Sequence, residues 1–231
     1  MMIQMELNEL QEQVMAEYEE YQAEIDSIDE KIDSMRESGV YSKGHIVGRA
    51  EEMKSEIESK FENQTVKALK MLEETAQVKV QNLQEELQPS EDYEKRQYEL
   101  QQAKSIIDLL DNEQIPEHLS KINDDVYRQE FINLARAKVK DPAQKKQLGK
   151  KLLQSLSDEQ REKREKLAYN QAILANKDFI DSQAITAISK VMDSQLGQAH
   201  KKQTIQNFIH HSNQKSQAIK NNIDRYILNQ Y

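Results

Sequence analysis

Residues 3–35 read IQMELNELQEQVMAEYEEYQAEIDSIDEKIDSM, and apolar side chains recur in this stretch at intervals of three and four residues, which alternate except for two successive steps of four from Leu10 to Tyr18. Residues spaced in this way lie on one face of an α-helix. The positions between them are mainly Glu, Gln, Asp and Lys, which suit a solvated surface. The pattern predicts a coiled-coil helix that needs a partner along its apolar stripe. The apolar positions are Ile3, Leu7, Leu10, Val14, Tyr18, Tyr21, Ile25, Ile28, Ile32 and Met35.

A turn is predicted at residues 37–44, ESGVYSKG, which contain two glycines and a serine suited to N-capping, Ser42. Helical apolar spacing resumes at Ile46 and continues to Leu87. We therefore predict an all-α protein that begins with a long antiparallel helical hairpin, a coiled coil, followed by a bundle or array of shorter helices. Two helices cover only part of each other's apolar stripes, so we expect additional helices or a second copy of the chain to complete the core.

Eight apolar residues of the two long helices are predicted to form a continuous buried seam. The same seam is the predicted site of self-association, which makes the protein an expected homo-oligomer. Its members are Leu10, Ile25, Ile28, Ile32, Ile57, Phe61, Leu72 and Leu83.

The composition also favours long amphipathic helices. Of the 231 residues, 37% are apolar and 32% are charged, with 5 Gly, 3 Pro and no Trp, against typical values of about 45–50% apolar and about 25% charged. Cysteine is absent, which removes disulfides and thiolate metal sites and fits a reducing compartment. The sequence contains no run of about 18 apolar residues and no signal-peptide pattern at its start. We expect a cytoplasmic protein with no membrane partner.

Charge is unevenly distributed along the sequence. Up to Asn112 there are 12 Lys and Arg against 27 Asp and Glu, a net charge of −15, whereas the remaining residues have 20 against 14, a net charge of +6. The second half also contains shorter helical segments with cap signals, at Asp141-Pro142 and Ser157 with Gln160. We therefore predict two domains, an acidic coiled-coil hairpin at residues 1–88 and a more basic multi-helix region at residues 89–231.

Motifs for catalysis, metals and cofactors are missing from the sequence. The histidines do not occur at the spacing of a metal-binding pair on a helix, and no glycine-rich phosphate loop or nucleophile motif occurs. Paired carboxylates are common, but 41 acidic residues produce such pairs on exposed helix faces by chance. We predict a protein that is not an enzyme and has no catalytic residues, metal site or cofactor.

One run of basic residues is a candidate partner-binding site: it spans a helix end, a capped turn and the start of the next helix. The run consists of Arg136, Lys138, Lys140, Lys145, Lys146, Lys150 and Lys151. It suits an acidic protein surface, the phosphates of a nucleic acid, or only a solubilising role. Nucleic-acid binding has weaker support, because the basic segments lack the interleaved aromatic residues of single-strand binders.

The segment 25–75 contains IDEKI at 28–32 and YSKG at 41–44, followed by Arg49, Glu51, Ile57 and Glu58. With these residues it resembles helical hairpins of small charged proteins from the head-morphogenesis modules of tailed bacteriophages. If a phage encodes the chain, the expected location is the host cytoplasm or the virion. The layout is also similar to that of phage scaffolding proteins, in which an acidic self-associating helical region precedes a basic helical segment that docks on the coat protein. The resemblance implies a scaffold-like, adaptor or minor virion protein with coat, portal or another virion protein as partner.

Three functional hypotheses follow. The first is a non-enzymatic helical structural or assembly protein of a bacteriophage. The second is an intracellular regulator or inhibitor that binds one host protein through its coiled coil, and the third is a nucleic-acid-associated helical protein.

Overall fold

The computed structural model describes residues 5–87, 93–193 and 195–230, and these ranges contain ten α-helices and no strand. The all-α prediction is confirmed. The helices are α1 (Met5–Ser38), α2 (Lys43–Glu86), α3 (Tyr93–Leu109), α4 (Ile115–Ser120), α5 (Asp125–Lys138), α6 (Pro142–Ser155), α7 (Asp158–Ala175), α8 (Lys177–Met192), α9 (Gln198–Asn221) and α10 (Ile223–Leu228).

The reversal between α1 and α2 lies where the sequence predicts it. Gly39 follows the last residue of α1 and has a φ of 66°, a left-handed conformation that favours glycine. Ser42 precedes α2, and its Oγ accepts a hydrogen bond from the backbone N–H of His45 at 3.2 Å. The turn therefore combines a helix C-terminus stopped by glycine with a helix N-terminus capped by serine.

The two long helices pack together in antiparallel orientation. Near the turn, Ile28 and Ile32 of α1 form a buried cluster with Ile46 of α2. Further from the turn, the Nζ of Lys60 lies 2.7 Å from Glu20 and 2.5 Å from Glu24. As the residue numbers decrease along α1, those of the contacting residues increase along α2, as an antiparallel hairpin requires. Ile3, the first apolar position of the predicted coiled-coil helix, lies outside the described residues.

The chain divides into two compact units. Unit 1 comprises the described residues of Met1–Val78 and Gln171–Asn221, and unit 2 comprises those of Lys79–Asn170 and Asn222–Tyr231. The predicted domain boundary between residues 88 and 89 lies outside the described residues. Helices α8 and α9, which belong to the second half of the sequence, are therefore grouped with the hairpin.

In unit 1, α9 packs against α1 and α8. Gln198 at the start of α9 donates a hydrogen bond to Asp26 of α1 at 3.1 Å. On α8, the Nζ of Lys177 lies 2.6 Å from a carboxylate oxygen of Glu73 on α2. The additional helices that the hairpin was expected to need are thus supplied by the same chain.

In unit 2, the main core joins α3, α4, α5 and α6, with Phe131, Ile132 and Leu152 fully buried. Helix α10 packs its buried Ile227 against Leu156 and Ala168. The helical segment over residues 198–228 is interrupted at Asn222, whose ψ of 16° departs from helical values. Its two parts, α9 and α10, belong to different units.

The net charges of the two units differ from the net charges of the two halves of the sequence. Unit 1 has 14 Lys and Arg against 22 Asp and Glu, a net charge of −8, and unit 2 has 18 against 19, a net charge of −1. The difference arises in part because α9, which has four lysines and no acidic residue, packs against α1 of the acidic hairpin. The polarity along the sequence is therefore partly neutralised within unit 1.

Candidate partner-binding surface

The basic run predicted from sequence centres on α6, whose start is well defined. Asp141 is the N-cap, and its carboxylate accepts hydrogen bonds from the backbone N–H groups of Ala143 and Gln144, both at 3.2 Å. Leu148, Gly149 and Leu152 form the buried face of the helix. A Cβ added at Gly149 would lie 3.0 Å from Leu228 of α10. The predicted cap at Asp141 is thus present, and it begins a helix that has one face packed and the other in water.

Lys138 bonds within unit 2. Its Nζ donates hydrogen bonds to the carbonyl oxygens of Ile107 at 2.5 Å and Leu110 at 2.7 Å, at the C-terminal end of α3. The last carbonyls of a helix have no intrahelical donors and carry partial negative charge, so an ammonium group stabilises them. The described contacts of Lys138 therefore make it a structural residue.

Arg136 has a similar position at the end of α10. Both terminal nitrogens of its guanidinium group donate to the carbonyl oxygen of Leu228 at 3.3 Å. Arg136 is only partly exposed, like Lys138. These two residues of the basic run hold helix ends in place, whereas sequence reasoning assigned them to a partner.

The exposed remainder of the run is Lys140, Lys145, Lys146 and Lys150, here called the α6 lysine surface. Lys151 is half-buried and is left out of it. Among the residues that the structure describes, none of the four lies within ion-pair distance of a carboxylate. Lys146 and Lys150 are one helical turn apart, which places their Cβ atoms about 6 Å from each other.

The electrostatics of this surface favour anions. Like charges four residues apart on a helix destabilise it by about 0.2–0.5 kcal/mol, and the N-terminus of α6 adds a partial positive charge. The carboxylate of Asp141 at the N-cap offsets part of this positive charge, and the first turn of α6 itself has no acidic residue. Carboxylates of a protein or phosphates of a nucleic acid are the groups that such a surface attracts.

The residues of the predicted self-association seam lie inside the chain. Leu10, Ile28, Ile32 and Phe61 are buried, and Ile25, Ile57, Leu72 and Leu83 are partly buried. Leu83 lies in the part of α2 that belongs to unit 2. Leu10 and Leu72 line a groove of about 130 Å³ between α1 and α2, together with polar side chains such as Glu9 and Gln13. Self-association through these residues stays a prediction.

Burial shifts the pKa values of titratable groups in unit 1. Burial raises the pKa of Tyr21 to about 12, with smaller effects from Glu58 and Tyr18. Burial also raises the pKa of Asp181, which lies beside a small cavity between α2 and α8 lined in part by Glu73 and Lys177. Within the described ranges, no group of three His, Asp or Glu side chains is arranged to hold a metal ion.

None of the helices in the described ranges has the length and apolar content that crossing a membrane requires. Comparisons with known protein families, curated protein sequences and solved structures find no match to this chain.

Proposed function

We propose that this protein is a non-enzymatic helical assembly protein that binds an acidic partner protein through the α6 lysine surface. The observation that carries the proposal is the row formed by Lys146 and Lys150, two exposed ammonium groups on adjacent turns without a carboxylate partner in the described chain. Following the bacteriophage resemblance, we assign the chain a scaffold-like, adaptor or minor virion role. Its partner is then coat, portal or another virion protein.

A protein partner fits the surface better than a nucleic acid. Helix α6 contains neither an aromatic residue nor an arginine, so it lacks stacking groups and bidentate phosphate ligands. Unit 2 has a net charge of −1, whereas nucleic-acid-binding domains are usually basic over one whole face. Binding of labelled DNA at low salt that disappears with reversed α6 lysines would shift the assignment to the third hypothesis.

The proposal is tested with a photo-crosslinking residue at the exposed position Gln147, between Lys146 and Lys150. In producing cells, we expect a crosslink to one acidic protein, and mass spectrometry identifies it. The variant K145E/K146E/K150E, called the α6-reversed variant, should lose the crosslink and bind the purified partner more slowly, with a larger defect at low salt than at high salt. Equal crosslinking by both proteins would refute the proposal.

A matched control separates a local effect from one of total charge. The variant K67E/K190E/K202E has the same charge change at three exposed lysines of unit 1. It should keep the crosslink. Neighbouring genes distinguish the remaining alternative: portal, protease and coat genes beside this one favour virion assembly over a host regulator.

A further inference from the structure

The outward face of α1 has a row of carboxylates. Glu12, Glu19, Glu30 and Glu37 are separated by seven, eleven and seven residues, which returns each of them to the same side of the helix. All four side chains are exposed. The buried residues of the same helix, such as Leu10 and Ile28, lie on the opposite side. We call these four residues the α1 acidic row.

The α1 acidic row has no neutralising cation in the described part of the chain. By contrast, Glu20 and Glu24, on the side of α1 that faces α2, are both held by Lys60. The described contacts of α1 thus neutralise Glu20 and Glu24 and leave the four carboxylates of the row in water. The lysines of the basic run differ in the same way, because Lys138 bonds internally and Lys146 and Lys150 do not.

We propose that the α6 lysine surface of one copy binds the α1 acidic row of a second copy of this chain. The inference rests on the proposed function, because it uses the same lysine surface, and it names the acidic partner. Charge complementarity carries it: each surface lacks a counter-charge, and each offers the charge that the other lacks. Both lie on regular helices, so the charges have fixed positions before association.

This contact is heterologous, because the two surfaces are different parts of the chain. A copy that has bound through its lysines still presents its acidic row, so copies add head to tail until a ring closes or a filament grows. Each copy has a net charge of −9, so whole molecules repel each other, and this arrangement offsets the repulsion by bringing opposite charges together. Assembly of this kind leaves the buried cores unchanged.

The test is sedimentation velocity of the full chain at low and high salt. The wild type should form species heavier than one chain at low salt and return towards the monomer at high salt. The α6-reversed variant and the variant E19K/E30K/E37K, called the α1-reversed variant, should each associate at least tenfold more weakly. Control variants K67E/K190E/K202E and E51K/E56K/E62K, changed at exposed residues elsewhere, should associate as the wild type does.

Mixing the two reversed variants is the decisive experiment. An equimolar mixture of the α6-reversed and α1-reversed variants contains opposite charges at every contact, so association should return, as it should in one chain with both sets of changes. Circular dichroism checks folding, and glutamine replacements at the same positions test the contact if a reversed variant unfolds. A monomeric wild type at low salt, or a mixture that stays monomeric, overturns the inference. The Gln147 crosslink to a different protein would then still support the proposed function.

Discussion

The ring centroids of Tyr21 on α1 and Phe61 on α2 lie 5.0 Å apart, with the ring planes inclined by 36°. Both side chains are buried, at 2% and 1% exposure. Lys60, the neighbour of Phe61, holds Glu20 and Glu24 on either side of Tyr21 in sequence. At this level of the hairpin, an aromatic contact in the core and ion pairs on the surface together set the register. The aromatic contact contributes more to stability, because exposed ion pairs contribute little.

Replacing Phe61 with alanine should lower the free energy of unfolding by about 3–5 kcal/mol, because a fully buried aromatic side chain leaves a cavity. Urea unfolding followed by circular dichroism measures the change. Val66 on the same helix is 47% exposed, and its replacement with alanine should change stability by less than about 0.5 kcal/mol. Similar values for both variants would mean that Phe61 is not in the core.

Tyr21 should make the protein sensitive to alkaline pH. Because burial raises its pKa to about 12 in the folded chain from 10.0, the unfolded chain loses the proton first. The stability linked to Tyr21 is complete below pH 10 and declines by about 2 kcal/mol as pH rises to 12. Its hydroxyl has no hydrogen-bond partner among the described residues, so Tyr21→Phe should be neutral or stabilising at pH 7. Unfolding curves of the two proteins from pH 8 to 11.5 should diverge; parallel curves would contradict the assignment.

Replacing Ile28 with aspartate should destabilise the hairpin by several kcal/mol. Ile28 is 6% exposed in the cluster with Ile32 and Ile46, and an unpaired carboxylate there loses its hydration without a compensating partner. The melting temperature measures the loss, and Ser34→Asp, at an exposed position of the same helix, is the control. An unchanged melting temperature for Ile28→Asp would disprove the buried seam at this level.

The two classes of lysine in the basic run should separate by stability. Lys138→Ala removes a cation from the carbonyls of Ile107 and Leu110, and we expect a loss of about 1–3 kcal/mol because the hydrogen bonds are charge-assisted. Lys140→Ala, at an exposed position nearby, should stay within about 0.5 kcal/mol of the wild type. Chemical denaturation measures both, and equal losses would show that Lys138 has no special structural role.

A fragment of residues 1–88 should self-associate. In the full chain, α9 packs against α1, and Ile205 and Phe208 of α9 are buried. Without α8 and α9 the apolar stripe of the hairpin is left in water, so a second fragment should cover it. Sedimentation of the fragment, compared with the full chain at the same salt, measures this. A folded monomer at high concentration would be the contrary result.

The helix caps could be predicted from the sequence because each of them depends on a few consecutive residues. Ser42 caps α2, Asp141 caps α6, and Ser157 and Gln160 exchange backbone and side-chain hydrogen bonds at 3.2 Å, as the capping-box pattern predicts. A glycine is the usual stop of a helix, but Gly197 lies beyond the end of α8. The helix ends at Met192, and the carboxylate of Asp193 accepts a hydrogen bond from the N–H of Gln195 at 2.9 Å. Aspartate competes with a helix in this way without a glycine.

The candidate partner-binding surface could be predicted only in part. The sequence does not show whether the folded chain provides a lysine with a hydrogen-bond partner. Lys138 bonds to a carbonyl 31 residues away and Arg136 to one 92 residues away. The residues next to Lys138 and Arg136 in the sequence do not indicate these long-range hydrogen bonds. The exposed α6 lysine surface emerges only after these two residues are removed from the run.

By itself, the sequence determined the helices, the turn at Gly39 and the existence of an uncovered hairpin stripe, because spacing, caps and glycine conformations act over a few residues. Only the tertiary structure decided what covers that stripe. Helices α8 and α9 return from the end of the chain to do so, and Lys177 meets Glu73 across more than a hundred residues. Burial of apolar surface is non-directional, so the stripe of α1 specifies that a partner is needed but not which segment provides it.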